Sequence, residues 1–437
     1  MSLNYQLQPA TALLGDIRVP GDKSMSHRSI MLGSIANGVT CVRGFLQGED
    51  SLATLNAFRR LGVTIELAGA GEVIIHGVGR EGLRGAQGEL NLGNSGTSMR
   101  LMAGLLAGQS FDSTLIGDAS LTKRPMRRVT EPLTHMGAVI DSSCSGTPPL
   151  QIRGGVALRG IDYRLPVASA QVKSALLLAG LYAEGTTRVS EPAPTRDHTE
   201  RMLRGFGYEV LTEGASMSLK GGGELSGCDI DVPADISSAT FFMVGALIAA
   251  EGEVTLRHVG INPTRIGVIN ILRQMGATIE LFNQREVGGE PVADLRLTQS
   301  RLHGIAIPED QVPLAIDEFP ALFIAAAAAE GETVLTGAAE LRVKESDRIA
   351  VMAAGLTTLG VTHRVTEDGI VIQGQSAWGG GTIHSQGDHR IAMAFAMASL
   401  RAKAAITITD CANVATSFPG FVNLATECGL PLQELFA

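Results

Sequence analysis

The chain has 437 residues, of which 45% are hydrophobic and 18% are charged, and its formal net charge is −9. This length predicts two or three domains, and the apolar content is sufficient for sizeable cores. The acidic balance and the lack of a basic tract argue against nucleic acid and anionic membranes as partners.

The N-terminus, the apolar stretches and the cysteines indicate the compartment. The first 23 residues show no basic segment followed by an apolar run, so we expect no secretory signal. The longest apolar stretches, such as residues 241–250, are too short to span a bilayer. Five cysteines lie far apart without the spacing of metal ligands, which favours buried, reduced thiols. We therefore expect a cytoplasmic protein without a bound metal.

A repeated pattern of two helices runs along the whole chain. The first helix of each copy is apolar on nearly every face and opens with Ser, Thr or Asp, as in SHRSIMLGSIANG and DHRIAMAFAMASL. Such a helix is normally buried, and its opening residue is expected to be the N-cap. The second helix ends in an apolar residue and a glycine, and the glycine should adopt the left-handed conformation before a strand. The six glycines are Gly62, Gly137, Gly207, Gly276, Gly360 and Gly429.

Six units of this kind predict two domains of three units each, with buried helices at the centre of each domain. Generic α/β alternation is the first alternative, but it would not maintain the spacing and the glycine signature. A linear solenoid is the second alternative, and its repeats are usually shorter than these.

Four of the six apolar helices carry a cation in the first turn, where the helix dipole disfavours it by roughly 0.3–1 kcal/mol. These cations are Arg28, Arg100, Lys173 and Arg390, and Lys23 stands just ahead of the first helix. Free N–H groups at a helix start, together with a guanidinium, bind anions well. We therefore predict a common anion-binding cleft that involves Arg28 and Arg390. For Arg100 and Lys173, structural pairing is an equal alternative.

Four segments concentrate polar chemistry. They are PGDKSMSHRS (20–29), LGNSGTSMR (92–100), SLTKRPMRR (120–128), and ELRVKESDRI (340–349) taken with DEFP (317–320) and GDHR (387–390). The first segment lacks Walker A spacing, and the second is a small-residue cradle at a helix start. Pro125 fixes a turn that presents Arg124. In the last group, Asp317 and Glu345 accompany several cations, which is typical of an acid/base set beside an anion clamp.

With these motifs in this order over its whole length, the chain resembles the enolpyruvyl transferase family, and within it the branch that acts on shikimate 3-phosphate. The resemblance implies a two-domain inside-out α/β barrel, in which each domain holds three repeats of a βαβαββ-like unit with buried helices. It implies a discontinuous C-terminal lobe, residues 1–20 plus 236–437, and an N-terminal lobe, residues 21–235. The family closes its lobes around ligand.

The resemblance also implies the reaction. The family transfers the enolpyruvyl group of phosphoenolpyruvate to the 5-hydroxyl of shikimate 3-phosphate and releases phosphate, by addition and elimination through a tetrahedral intermediate. This step belongs to the shikimate pathway of aromatic amino acid biosynthesis and is the target of glyphosate. It needs no cofactor, and we expect a monomer that binds these two small molecules.

The motifs assign site residues by the same resemblance. Asp317 is expected to be the base, and Glu345 the acid, with Lys23 as the competing acid. His389 is a candidate at the edge of the site. Residues expected to bind shikimate 3-phosphate are Lys23, Ser24, Arg28, Ser169, Gln171, Arg196, Asp317 and Lys344. Residues expected to bind phosphoenolpyruvate are Lys23, Gly96, Arg124, Gln171, Arg348 and Arg390.

Two positions depart from the family pattern. Ala170 stands where some members have a second serine, which removes one phosphate contact. Thr416 stands where many members have a lysine, so the neutralisation of phosphate there is left open. Gly96 leaves room for glyphosate and the absent lysine weakens its binding, so the sequence does not decide sensitivity.

Two rival interpretations remain. The sister enzyme of the family transfers enolpyruvyl to a UDP-linked amino sugar and uses a loop cysteine as proton donor, but Ala119 holds that position here. A non-catalytic anion-binding protein on the same repeats is the other rival, and it would have no use for Asp317 and Glu345.

Overall fold

The computed structural model describes residues 3–436. By internal contacts the chain divides into two compact units. The first unit consists of the chain up to Pro20, Pro233–Glu286, and the chain from Pro291 onward. The second unit consists of Gly21–Val232 and Val287–Glu290, the last being the tip of a hairpin whose strands lie in the first unit.

The described chain is a mixed α/β fold with twelve α-helices and mixed sheets. The helices are α1 Lys23–Ile35, α2 Glu49–Arg60, α3 Gly96–Ala107, α4 Arg127–His135, α5 Ala170–Gly180, α6 His198–Gly205, α7 Ile236–Ile248, α8 Gly267–Gln274, α9 Phe319–Ala328, α10 Arg348–Leu359, α11 His389–Ala398 and α12 Phe421–Glu427. Short 3₁₀ helices cover Leu121–Lys123, Glu309–Gln311, Ala339–Val343 and Ala412–Thr416.

The strands alternate with these helices along the chain. They are β1 Leu3–Leu7, β2 Ala12–Ile17, β3 Asn37–Arg43, β4 Thr64–Gly69, β5 Glu72–Val78, β6 Leu90–Asn91, β7 Ser113–Ile116, β8 Ile140–Asp141, β9 Leu150–Ile152, β10 Asp162–Arg164, β11 Thr186–Ser190, β12 Leu211–Glu213, β13 Ser216–Lys220, β14 Asp229–Asp231, β15 Glu251–Gly260, β16 Ile279–Val287, β17 Glu290–Thr298, β18 Glu332–Leu335, β19 His363–Val365, β20 Ile370–Gln373, β21 Gly381–His384, β22 Ile406–Thr409 and β23 Leu432–Phe436.

One strand order recurs in the sheets of the described chain. In the repeat β6–α3–β7–α4–β8–β9, β6 pairs parallel with β7, β7 pairs antiparallel with β9, and β9 pairs antiparallel with β8. The orders β10-β11-β13-β12, β14-β3-β5-β4, β2-β15-β17-β16 and β21-β22-β1-β23 repeat this arrangement. In the three-stranded sheet β18-β20-β19, a parallel bridge between Ala306 and Val334 takes the place of the first strand.

Strands that are far apart in the sequence share sheets. β1, at the start of the chain, is the inner strand between β22 and β23, and β2 pairs parallel with β15. β14 supplies the first strand of the sheet that contains β3, although it lies far along the sequence. Each unit is therefore completed by strands that are distant in sequence, which requires long-range pairing during folding.

The first helix of each repeat is buried, as its apolar composition predicts. Every residue of α7 is buried, and α9 and α11 are buried along almost their whole length. In the second unit, α1, α3 and α5 are buried beyond their first turns. Burial of such apolar helices is the main favourable contribution to folding. The partly exposed residues of these helices lie mainly in the first turns, as Lys23, Thr97 and Gln171 do.

The six repeat glycines all have positive φ, from +77° at Gly360 to +107° at Gly429. This confirms the prediction that each one ends a helix in the left-handed region. A residue with a Cβ would be strained at these positions.

The predicted starts of four buried helices are wrong. The cap of α9 is Glu318 rather than Asp317, and the other three starts are wrong by two to four residues. The apolar pattern places the N-caps at Ser26, Thr97 and Ser237, but the caps are Asp22, Ser95 and Asp235, whose side chains accept a backbone N–H two or three residues on. Lys23 therefore lies in the first turn of α1 rather than ahead of it. The reason is that the first turns of α1, α3 and α7 are rich in polar residues even where they are buried, so apolar composition marks only the turns that follow.

Candidate active site

In the second unit, Arg28 of α1 is buried and held by two hydroxyls. Its Nε donates to Oγ1 of Thr199 at 2.7 Å, and its Nη2 donates to Oγ of Ser174 at 2.8 Å. Burial lowers the pKa of Arg28 to about 10; the charge of Arg196 acts in the same direction, and the nearby carboxylate of Glu200 opposes it. Arg196 thus lies within electrostatic reach of Arg28, although the carboxylates of Glu200 and Asp22 act on Arg28 more strongly than Arg196 does.

Lys23 is oriented by a carboxylate on the next helix. Its Nζ lies 2.5 Å from Oδ2 of Asp50, in the first turn of α2. Lys23 remains partly exposed while Asp50 is buried. The ion pair therefore fixes the direction of a lysine that is still accessible to a ligand.

A third group of cations surrounds the start of α3. Gln171 accepts from Nη1 of Arg100 at 2.7 Å and donates to Oγ1 of Thr97 at 3.1 Å. Nη2 of Arg124 donates to Oδ1 of Asn94. A Cβ added to Gly96 would lie 2.8 Å from Nη1 of Arg100 and 3.2 Å from Nη1 of Arg124. Glycine at position 96 therefore lets both guanidinium groups approach the backbone.

His27 links the helices that carry these groups. Its Nδ1 lies 2.8 Å from Oγ1 of Thr54 on α2 and 3.3 Å from Oγ of Ser98 on α3. Burial lowers the pKa of His27 well below its ordinary value, and the charges of Lys23 and Arg28 act in the same direction. His27 is therefore neutral near pH 7 and serves as a buried link between the helix starts.

The two cations for which structural pairing was an equal alternative are both paired. Lys173 is fully buried, and its Nζ lies 3.0 Å from Oε2 of Glu191 and 2.8 Å from Oε1 of Glu200. Arg100 contacts Gln171, as described above. Ser169 caps α5 by accepting the N–H of Val172.

In the first unit, the buried guanidinium of Arg348 contacts three carboxylates. Its Nε lies 2.9 Å from Oδ2 of Asp388, its Nη2 lies 2.7 Å from Oε2 of Glu345, and its Nη1 lies 3.3 Å from Oδ1 of Asp317. Burial alone would lower the pKa of Arg348, but the carboxylates of Asp388, Glu345 and Asp317 outweigh it and raise the pKa above the ordinary value.

Two further cations lie at Asp317. The Nζ of Lys344 is 3.6 Å from its Oδ1. Nη1 of Arg390 donates to the main-chain carbonyl of Asp317 at 3.1 Å. Asp388 caps α11 by accepting the N–H of Arg390, which ties the start of that helix to Arg348. Asp317, Lys344, Glu345, Arg348 and Arg390 are therefore one connected cluster within this unit.

The remaining predicted positions are less central. His389 is buried at the start of α11. Thr416 is buried, and its hydroxyl donates to the carbonyl of Asn413 at 2.7 Å. The hydroxyl of Thr416 thus adds no positive charge where many family members have a lysine. Ser24 contributes its main-chain carbonyl, which accepts from Nη1 of Arg28 at 2.9 Å.

Several residues of these clusters were not predicted from the sequence. They are Asp50, Asn94, Glu191, Glu200 and Asp388. Asp388 lies within the GDHR motif, and Asp50 lies at an acidic helix start, so both had a local signal. Glu191 and Glu200 had none, because only the folded chain brings them to Lys173.

Two units of repeated βαβαββ topology, each with cations and carboxylates at its helix starts, define a class of α/β proteins suited to anionic ligands. A family profile described as EPSP synthase (3-phosphoshikimate 1-carboxyvinyltransferase) matches residues 7–424. The chain belongs to this family.

Individual relatives agree with the family match. The 3-phosphoshikimate 1-carboxyvinyltransferase of Alkalilimnicola ehrlichii is 66% identical over 432 residues, covering 99% of this chain and 97% of the relative. That of Methylococcus capsulatus is 67% identical over 425 residues, covering 97% of each chain. A solved structure of EPSP synthase from Acinetobacter baumannii is 59% identical, covers 100% of both chains and superimposes with a TM-score of 0.90.

Residues 3–436 contain neither a helix that could span a membrane nor a cluster of side chains that could hold a metal ion. None of the helices there has the length and apolar character of a membrane span. No group of three or more His, Cys, Asp and Glu side chains is arranged there to hold a metal ion.

Proposed function

We propose that charged side chains from both compact units take part in one reaction. The chain transfers the enolpyruvyl group from phosphoenolpyruvate to the 5-hydroxyl of shikimate 3-phosphate and releases phosphate. This is the 3-phosphoshikimate 1-carboxyvinyltransferase step of the shikimate pathway. The observation that carries the assignment of roles is the position of Asp317 and Glu345, which are both held by the single buried guanidinium of Arg348.

The chemistry requires a base and an acid that act in turn. Asp317 takes the proton of the 5-hydroxyl while the hydroxyl oxygen forms a bond to C2 of phosphoenolpyruvate. Glu345 protonates the methylene carbon, which gives the tetrahedral intermediate. The Glu345 carboxylate then takes a proton back from the resulting methyl group while the bond between C2 and the phosphate oxygen breaks, so phosphate departs and the enol ether forms. Lys23 is the alternative donor for the methylene carbon, and its pairing with Asp50 orients it for that role.

Shikimate 3-phosphate is assigned to the helix starts of the second unit and to Lys344. Arg28 and Arg196 are two guanidinium groups within electrostatic reach of each other, and guanidinium groups bind the oxygens of a phosphate dianion well. Ser169 and Gln171 lie at the start of α5, where free N–H groups favour anions. The residues proposed for this substrate are Lys23, Ser24, Arg28, Ser169, Gln171, Arg196, Asp317 and Lys344.

Phosphoenolpyruvate is assigned to positive charge supplied by both units. In the second unit, Gly96 allows the guanidinium of Arg124 to approach the main chain. In the first unit, Arg390 contacts Asp317, and Arg348 adds buried positive charge although its donors face carboxylates. The residues proposed for this substrate are Lys23, Gly96, Arg124, Gln171, Arg348 and Arg390.

The proposal extends to architecture and setting. We propose that the repeats form the inside-out α/β barrel of the family, with functional lobes at residues 1–20 plus 236–437 and 21–235. The compact units, whose boundary lies after Val232, support this division. A monomeric, cytoplasmic enzyme is proposed, and the five free cysteines support a reducing compartment.

Phosphate release tests the activity. Phosphoenolpyruvate mixed with shikimate 3-phosphate should release phosphate at a rate that saturates in both substrates. A UDP-linked amino sugar in place of shikimate 3-phosphate should give no release. Release only with the UDP-sugar would instead identify the sister enzyme, and binding without any release would identify an anion-binding protein.

Replacing Gly96 with alanine is expected to weaken phosphoenolpyruvate binding selectively. The new methyl group would meet Nη1 of Arg100 at 2.8 Å and Nη1 of Arg124 at 3.2 Å, so the guanidinium groups must shift. We expect the KM of phosphoenolpyruvate to rise about tenfold or more, because contacts to a charged group contribute about 1.5–3 kcal/mol. The KM of shikimate 3-phosphate should rise less, because the shift of Arg100 reaches that substrate only through Gln171, while Arg28 and Lys344 are not displaced. Steady-state kinetics with each substrate varied in turn measures both values.

The matched control is Gly205, at the end of α6. A Cβ there meets nothing within 4 Å, so Gly205→Ala should leave both KM values unchanged. An unchanged KM of phosphoenolpyruvate in Gly96→Ala would remove position 96 from that substrate's site.

A further inference from the structure

Lys173 is a fully buried charged residue that has no role in the proposed chemistry. It lies in α5, and among the charged groups of this region it is the one with no exposed surface on its side chain. A lysine is rarely buried without strong compensation, because the loss of hydration is costly. The carboxylates of Glu191 and Glu200 supply that compensation. The further contacts of these two carboxylates therefore identify the chain segments that Lys173 holds in place.

Glu191 connects Lys173 to the loop before α6. Its Oε2, which lies 3.0 Å from Nζ of Lys173, also accepts from Oγ1 of Thr195 at 2.6 Å. Its Oε1 accepts the backbone N–H of Thr195 at 3.1 Å. Thr195 directly precedes Arg196 in the chain. A buried cation thus fixes, through one carboxylate, the main chain that carries Arg196.

Glu200 and the next residue of α5 connect the same lysine to Arg28. Glu200 lies in the first turn of α6, directly after Thr199. The hydroxyl of Thr199 accepts from Nε of Arg28 and donates to Oγ of Ser174 at 2.7 Å. Ser174 follows Lys173 in α5 and accepts from Nη2 of Arg28. Two adjacent residues of α5, Lys173 and Ser174, therefore hold both the segment that carries Arg196 and the side chain of Arg28.

We propose that Lys173 is a positioning residue that sets the separation of Arg28 and Arg196 for the phosphate of shikimate 3-phosphate. This inference rests on the proposed assignment of that phosphate to the two arginines. The lysine contacts no substrate; it acts through Glu191 and Glu200. Its role is to hold two like-charged guanidinium groups in the arrangement that a dianion requires, before the ligand arrives.

The test uses a variant in which the buried charges are removed together. Lys173→Met/Glu191→Gln/Glu200→Gln leaves no charge within the Lys173 cluster, and such neutral replacements of buried ion clusters are often tolerated. Arg28 loses the nearby carboxylate of Glu200. Because two carboxylates and one ammonium are removed, the local charge becomes more positive, so weaker phosphate binding would not result from the change in net charge. The dissociation constant of shikimate 3-phosphate, measured by calorimetry, should rise about tenfold or more because charged contacts are lost or displaced. At saturating shikimate 3-phosphate, kcat and the KM of phosphoenolpyruvate should stay within about twofold.

A second variant protects the test against a failure to fold. Thr195→Val keeps the buried ion cluster and removes the hydroxyl that donates to Glu191. It should raise the same dissociation constant several-fold with little change in stability. Thr187→Val is the matched control, because Thr187 is fully buried in the same unit and its hydroxyl has no hydrogen-bond partner in the described chain. It should leave the dissociation constant unchanged.

The outcomes separate this inference from the site assignment. If Arg196→Met leaves shikimate 3-phosphate binding unchanged, the phosphate assignment itself fails. If Arg196→Met weakens binding but Thr195→Val and the folded triple variant bind as the wild type does, Lys173 has a purely structural role and the inference is overturned. Weakened binding in all three variants, with phosphoenolpyruvate kinetics preserved in the triple variant, supports it.

Discussion

Asp317→Asn is expected to lower kcat by roughly 10²–10⁴-fold, the usual contribution of a positioned general base. Asparagine retains the shape of the side chain but cannot accept the proton of the 5-hydroxyl. Shikimate 3-phosphate should still bind detectably, because the arginines assigned to its phosphate lie elsewhere, on α1 and before α6. Phosphate release gives kcat, and calorimetry gives the binding constant.

Glu340→Gln is the matched control for this prediction. Glu340 is a second carboxylate near Lys344, with its Oε1 3.9 Å from Nζ, and both side chains are partly exposed. Its replacement should change kcat less than about twofold, since a partly exposed pair contributes little. Turnover at the wild-type rate in Asp317→Asn would exclude Asp317 as the base.

Arg348→Met is expected to destabilise the protein by about 3–5 kcal/mol, the usual result of removing one partner from a buried ion pair. Arg348 is buried, and Asp388, its partner at 2.9 Å, is completely buried. Methionine leaves the carboxylate of Asp388 without this cation and also removes one from Asp317 and Glu345. Urea denaturation should show a lower midpoint without a change in the slope m.

Arg342→Met tests whether burial of the ion pair causes the destabilisation that is expected for Arg348→Met. Arg342 pairs with Asp347 at 2.8 Å, but both side chains are partly exposed. Its loss should cost about 1–2 kcal/mol, because an exposed ion pair contributes little and the guanidinium also donates to the main-chain carbonyls of Thr366 and Glu367. Equal destabilisation by the two variants would contradict the role given to Arg348 at the centre of its cluster.

The repeat pattern was predictable because it depends on local rules. A glycine that ends a helix needs positive φ, and Gly62 and Gly429 meet that need at opposite ends of the chain. Apolar composition on every helix face likewise predicts burial, as α7 illustrates. The N-caps were misplaced because Asp22 and Asp235 precede polar turns that carry no periodic apolar signal.

The cations of the site were partly predictable for a related reason. Arg28 and Arg390 lie in first turns where the helix dipole disfavours them, so their presence required an explanation beyond stability. The carboxylates that orient the cations were harder to predict. Arg348 and Asp388 are 40 residues apart, and no periodicity relates them. The fully buried environment of Lys173 likewise depends on Glu191 and Glu200, which only the folded chain brings together.

The repeats also indicate how such a site is built. From Leu101 in α3 and from Ala175 in α5 the buried residues are all apolar or glycine, while the preceding turns differ and carry polar groups. Changes in a first turn alter ligand contacts without disturbing the core, because these residues lie at the end of the packed segment. Gly96 at the start of α3 and Gln171 at the start of α5 illustrate this division between stability and recognition.

The most direct test of the central claim is the rate of phosphate release over a grid of both substrate concentrations for the wild type, Arg196→Met and Asp317→Asn. If side chains of both units serve one reaction, Arg196→Met raises the KM of shikimate 3-phosphate with little loss of kcat. Asp317→Asn should instead lose kcat. The claim would be contradicted if both variants kept the wild-type kcat and both wild-type KM values, or if the wild type released no phosphate.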